Sequence, residues 1–572
     1  MEAAVLRPQL FALVLIACSP ATPTPIPTPI PTEDAAVDAL GKEYLDLVIA
    51  SSPETATALG IHTRDAELDD RTPVAIEATK AKRTVLLARV RDLRGRARLS
   101  RAAHTDLELL ESALEVDERR WTEVRPHERL PALYASPMGA VFLMLARDYA
   151  PAAERARLAL ERLEKTPAVI QAAKTNLKSP PKVWTLVGID MAKGAKSFFD
   201  EQRKPLEAAL PAENKRIATA IATAQKAYAE YAQFLERDLL PRSNGDFASG
   251  RATFDFLLRR QHFLAQDPDQ VLALGEKILA ATEAQMLETA RRIDPAAKHW
   301  SDVVVRAKKN HPTAADLLPS YRRELSRARA FLVQKDAVPF PPSDDCEVIE
   351  TPVFMRSTTT AAYDVSPPFD KTTKGFFFVT PVDLSLPKAK QEEMLRENDH
   401  GDQVDTAVHE AYPGHHLQLS FARAHPSLVR KMADAPTFSE GWGLYSEELM
   451  AELGYYTDEE RIMQLEWTLV RAARVVIDVG LHTRGMTFDD AVNILTDRVH
   501  LERTLALSEV KRYTMNPTQP LSYLVGREAI FKMREKYRAR EGAKYTLRGF
   551  HAEILSHGTI PPGLMAREIF AD

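Results

Sequence analysis

The chain of 572 residues is 45% hydrophobic and 27% charged, with a formal net charge of −5. That balance is typical of globular proteins and excludes both a disordered chain and a basic field for nucleic acid. Basic runs such as ARVRDLRGRARLSR are interrupted at helical spacing and read as solvated helix faces.

In chain order, residues 1–17 (MEAAVLRPQLFALVLIA) hold one arginine and an apolar run too short to span a bilayer stably, and Cys18 follows. The stretch resembles a bacterial lipoprotein signal. That resemblance implies cleavage before Cys18, lipidation of its side chain and attachment to a membrane of the cell envelope, on the periplasmic or outer-membrane side. Residues 18–32 continue as CSPATPTPIPTPIPT, which cannot build a core and favours extended polyproline II. At about 3.1 Å per residue this tether spans roughly 40 Å. Cys346, the second of two cysteines, then has no partner for an intrachain disulfide.

Residues 33–572 read as one domain. From Glu33 to about Val338 the pattern is helical, with Leu86, Val90 and Leu93 in one apolar stripe and Leu107, Leu110 and Leu114 in another. Prolines at 180–181 and 339–342 punctuate it. Residues 350–383 differ: ETPVFMRSTTTAAY and KGFFFVTPVD are rich in β-branched and aromatic residues around SPPFDKTT, which predicts a small sheet. Helical pattern resumes near Pro387 and runs to the end. The fold class expected is mainly α, with one small β-sheet next to the helices that carry the candidate site.

That site opens at DTAVHEAYPGHHLQ, residues 405–418. It begins like the zinc-protease signature His-Glu-x-x-His, but Pro413 stands where the second histidine belongs and His415 and His416 follow. A hydrolytic zinc takes three protein ligands and leaves room for water, and the protein supplies a base for that water. His409 and Glu410 offer a ligand and a base side by side. On an unbroken helix the second ligand lies about 6 Å along the axis, where Pro413 clashes with the carbonyl of His409. His416 falls on the correct face but about 10.5 Å along. A bulge or kink at Pro413–Gly414 that absorbs two residues places His415 at the metal, with His416 as a supporting donor or the alternative ligand. The helix opening FSEGWGLYSE offers Glu440 as third ligand, and its small and aromatic neighbours suggest close packing. Glu447, two turns on, reads as exposed.

HExxPGHH, SEGWxLYxE, RAARVVIDVGLHTRGMTFDDA and PTQPLSYLVG together resemble the bacterial family named domain of unknown function 885, as do SPETATALGIH and AYDVSPPFDKTTKGFFFV upstream. The likeness covers nearly all of residues 40–572. This family is similar to the helical gluzincin metallopeptidases, and the resemblance implies a helical clamshell with a deep cleft, one Zn2+, ligands His409, His415 or His416, and Glu440, and Glu410 as base. It also implies a tyrosine that stabilises the oxyanion, for which Tyr523 is the best match and Tyr513 the second. Arg474, Asp478 and His482 stand at four-residue steps and form either a polar row behind the site or a salt-bridged helix face. The chain departs from the family pattern at AYDV, where a second tyrosine is expected after Tyr363, and at PTQP, where a glycine is expected.

The function expected is zinc-dependent hydrolysis of peptide bonds in short peptides in the cell envelope. The alternatives are a non-catalytic tethered binding or assembly protein with a structural or vestigial metal, and an amide hydrolase acting on a non-peptide substrate. A structural zinc calls for a fourth protein ligand and has no use for Glu410 beside His409.

Overall fold

Two of the N-terminal helices start where the sequence supplies caps. In a computed structural model that describes residues 33–341, 344–351, 356 and 360–570, α1 spans Asp34–Ser51, α2 Pro73–Arg96 and α3 Arg101–Arg119. The signal and tether expected over residues 1–32, with Cys18, lie outside the described residues. The hydroxyls of Thr72 and Ser100 accept the amides of Ala75 and Ala103, and Pro73 takes the first position of α2, where no amide is needed. Both leucine stripes are buried, in a core that continues into the sheet and the candidate-site helices.

Helices α4 (Ala152–Asn176), α5 (Lys182–Ala209) and α6 (Asn214–Phe234) form a second core around Leu160, Leu163, Phe199 and Ile221. A third core joins α7 (Pro268–Ile293) to the late helices, while α8 (Leu317–Lys335) packs against the sheet and returns to the first core. Among the described residues no single helix is long and apolar enough to cross a membrane.

The sheet has three strands, β1 (Cys346–Glu350), β2 (Ala361–Asp364) and β3 (Gly375–Val379), in the order β1-β3-β2. β3 runs parallel to β1 and antiparallel to β2, with Tyr363 opposite Phe377. Phe377 and Val379 face the core and Phe378 is buried on the opposite face, which is why this run reads as continuous apolar sequence. β2 is one of the two edge strands, and it lies against the helix that carries His409.

The remaining helices are α9 (His400–Glu410), α10 (His415–Arg423), α11 (Pro436–Glu452), α12 (Asp458–Thr483), α13 (Arg503–Met515) and α14 (Gln519–Glu541). α11 is buried on most sides, and small residues let its neighbours approach. A Cβ on Gly526 of α14 would stand 1.9 Å from the Thr437 carbonyl oxygen of α11, and Gly441 meets the Gly526 backbone in turn. The fold is thus mainly α, with one small sheet beside the site helices.

Candidate metal centre

α9 stops at Glu410 and α10 starts at His415, so the two extra residues are absorbed in a break between helices, not in a bulge of one helix. The Tyr412–Pro413 peptide bond is cis. The Gly414 amide returns to the Val408 carbonyl at 3.0 Å, and a Cβ on Gly414 would lie 1.8 Å from the His409 carbonyl oxygen. Only glycine lets the chain pass there. Trp442 on α11 closes the turn, its indole N–H donating to the Pro413 carbonyl at 2.7 Å.

This turn brings His415 to His409. Their rings are perpendicular with centroids 4.8 Å apart. Glu440 Oε2 lies 3.6 Å from His409 Nε2 and 3.3 Å from His415 Nε2. Donors around a tetrahedral zinc with bonds near 2.0–2.1 Å stand about 3.3–3.4 Å apart, so the chemistry of two imidazoles and one carboxylate suits that ion and the spacing of Glu440 from each imidazole is close to it. Glu410 also offers an oxygen to this group, one donor atom each from His409, Glu410 and His415 lying within 4.8 Å of one another. Its Oε2, however, accepts the backbone N–H of Tyr363 at 3.0 Å, which ties Glu410 to the edge strand beside the centre.

Glu447 is fully buried, which corrects the expectation that it is exposed. Its Oε1 accepts the His409 Nδ1 proton at 2.7 Å, fixing the tautomer that leaves Nε2 free to bind a metal. Gln464 Nε2 donates to Oε2 at 3.3 Å. Burial lowers the His409 imidazole, but Glu440 and Glu447 outweigh it and hold it at about 10, so without a cation Nε2 keeps a proton that a metal would displace. Burial raises Glu440, yet His409 and His415 keep its carboxyl well below the usual range. Such a carboxylate-rich pocket calls for a cation. Glu440, Gly443 and Glu447 sit at i, i+3 and i+7 on α11 and all meet His409. The same-face spacing was the signal for Glu447, since it puts both glutamates on the face that the glycine opens.

Gly443 is part of the centre. A Cβ there would stand 2.6 Å from His409 Cε1 and 2.8 Å from Nε2. Gly443→Ala is therefore expected to tilt the imidazole and weaken zinc binding by about tenfold or more, as loss of an orienting partner does. Competition against a chromophoric zinc chelator measures it, and an unchanged affinity would mean that the ring has slack.

His416 does not join the group formed by His409, His415 and Glu440. It is buried, its Nδ1 pairs with the Tyr363 hydroxyl at 2.9 Å and its Nε2 with Asp344 Oδ1 at 3.0 Å. Both ring nitrogens are engaged, so neither the alternative-ligand role nor direct contact with the reacting atoms follows; His416 acts as a strut. The phenol of Tyr363 crosses β3 at Gly375, where a Cβ would fall 2.1 Å from its oxygen. Tyr412 and Arg329 also bond Asp344, at 2.7 and 2.8 Å. Burial raises the Asp344 carboxyl, but His416, Tyr412 and Arg329 bring it down to about 2. Sequence reasoning missed Asp344, which lies in a loop outside any motif.

Tyr523 stands beside the centre, its ring roughly parallel to His409 with centroids 6.3 Å apart. Burial, and then Glu440, push its phenol up to about 12 against the pull of Arg474, Arg512 and Arg471, so the hydroxyl keeps its proton at neutral pH and can donate it. Tyr513 is wholly buried, and its hydroxyl bonds Glu509 and Arg474. The row on α12 fixes this segment. Arg474 binds Glu509 and Tyr513, Asp478 accepts the amides of Thr518 and Leu521 at 3.2 Å each, and His482 bonds the Tyr513 carbonyl at 3.0 Å. Asp478 thereby caps α14, the helix that carries Tyr523.

The family model for bacterial proteins of unknown function DUF885 matches residues 53–569. The chain belongs to this family. Two solved structures share the fold. One, a candidate lipoprotein of unknown function from Shewanella oneidensis, has a TM-score of 0.77 at 24% identity, covering 93% of this chain and 99% of its own. The other, a candidate lipoprotein from Colwellia psychrerythraea, has a TM-score of 0.80 at 18% identity, covering 94% and 99%. No curated protein matches the chain.

Proposed function

We propose that this DUF885 protein is a zinc-dependent peptidase of the cell envelope, related to the gluzincins. The observation that carries the reading is the convergence of His409 Nε2, His415 Nε2 and Glu440 Oε2 with Glu410 alongside. A zinc ion held by those three residues would supply Lewis-acid polarisation of the scissile carbonyl and of water. Glu410, tied to β2 through Tyr363, takes a proton from the attacking water and returns it to the leaving amine. Tyr523 donates a hydrogen bond from its hydroxyl to the oxygen on which negative charge grows. Glu447 keeps His409 in the required tautomer.

An extended peptide lying along β2 receives main-chain hydrogen bonds without a demand on its side chains, which favours short, unfolded substrates. Membrane attachment rests on the lipoprotein-like signal of residues 1–17, followed by Cys18, and on the two structural neighbours, both described as candidate lipoproteins.

The test is metal analysis of the purified protein together with a mixed peptide library read by mass spectrometry. One zinc per chain is expected, with cleavage that stops on chelation and returns with zinc. A protein that binds no zinc, or that binds it and cuts no peptide, would overturn the reading.

A further inference from the structure

We infer that Arg471 is a binding site for a carboxylate of the substrate, placed beside the metal centre. This rests on the peptidase reading and adds a substrate class to it. Arg471 lies on α12 with its side chain nine-tenths buried. Its guanidinium packs over Trp467, 4.6 Å from the ring centroid, and over Tyr523 at 5.9 Å. Nε and Nη1 are buried and find no hydrogen-bond acceptor among the described residues. The nearest acid, Glu447, is 3.8 Å from Nη2, and its two oxygens already take protons from His409 and Gln464.

The neighbouring arginines are provided for. Arg474 and Arg512 share Glu509, and Arg512 also donates to Gln519 at 2.6 Å. Arg471 and Arg474 thus pack over Tyr523 and Arg512 over Tyr513, with Glu509 serving Arg474 and Arg512, while Arg471 keeps two buried donor nitrogens without an acceptor among the described residues. Burying a guanidinium without acceptors is costly, and its planar fork matches a carboxylate in a two-point contact. A counter-charge for Glu447 and the buried Asp405 would need only the charge, which a lysine also brings.

A peptide offers carboxylates from two sources, its C-terminus and its Asp or Glu side chains. Arg471 reaches His409 through a single residue, Glu447, so the carboxylate it takes belongs within about two extended residues, each roughly 3.3–3.6 Å, of the scissile bond.

The experiment uses zinc-loaded Glu410→Gln protein, so that binding is measured by calorimetry without turnover. Four probes distinguish the sources: Ala-Ala-Phe-Ala as free acid and as C-terminal amide, and the amides of Ala-Ala-Glu-Ala and Ala-Ala-Gln-Ala. One charged member is expected to bind about tenfold more tightly than its neutral twin. A preference in the first pair assigns the C-terminus, and one in the second pair assigns a side chain. Adding Arg471→Gln should bring the ratio toward one, and Arg471→Lys should restore only part of it. Equal binding within both pairs, no measurable binding of any charged probe, or a ratio that survives Arg471→Gln overturns the inference. The comparison of twins on the Glu410→Gln protein stands even if an Arg471 variant does not fold. Cleavage by the unaltered enzyme without a carboxylate preference would sink this inference alone, whereas a carboxylate preference without any cleavage would sink the peptidase reading alone.

Discussion

Glu410→Gln is expected to keep one zinc per chain and to lose roughly 10²–10⁴ of kcat, the span that a positioned general base contributes. The substitution preserves shape, and its amide oxygen can still accept the Tyr363 N–H that Glu410 Oε2 takes at 3.0 Å, so β2 and the turn after α9 stay in place. What is lost is the capacity to accept a proton. Glu410 competes with Glu440 for the description of third ligand, because it too can place an oxygen near both histidines. The variant separates the two descriptions, since a ligand lost shows as missing zinc and a base lost shows as a slow enzyme with its zinc intact. Turnover close to that of the unaltered protein would remove Glu410 from the chemistry, and a metal-free variant would move it into the coordination sphere.

The positions that sequence made legible are those where chemistry restricts residue type. His409, Glu410, His415 and Glu440 stand out because so few side chains bind zinc or take its water's proton, and the structure brings them together. The same holds for the apolar stripes of α2 and α3 and for the aromatic run of β3, whose burial follows from periodicity. Sequence could not show which of two adjacent histidines turns toward His409 and Glu440. An angular rule applied to one continuous helix favours His416, and that rule ends with the helix at Glu410. Glu447 was misread for a related reason. A glutamate two turns into a helix is solvated when one face of the helix meets water, but α11 is packed around most of its circumference, and the carboxylate is kept there by His409 and Gln464. Asp344 gave no local sign at all. Its importance comes from a tertiary contact between the loop before β1 and α10.

The second large effect separates the adjacent histidines. His415→Ala is expected to lower bound zinc from one per chain to about a tenth or less after dialysis against a weak chelator, because it removes one of three donors while the other two remain poor ligands alone. His416→Ala is expected to keep its zinc. Its loss instead leaves the Tyr363 hydroxyl and the Asp344 carboxylate without the imidazole between them, in a buried site, at a cost of about 2–4 kcal/mol of stability. Tyr363 is also the residue whose backbone amide holds Glu410, so a looser β2 should lower kcat by around tenfold through misplacement of the base. The two variants thus differ in kind: one is metal-poor with a nearly normal melting temperature in excess zinc, the other metal-replete, less stable and slow. Zinc content, thermal unfolding and kcat on one peptide decide between them. Loss of zinc from His416→Ala with retention in His415→Ala would reverse the ligand assignment, and the break between α9 and α10 would then have to turn the other ring toward Glu440.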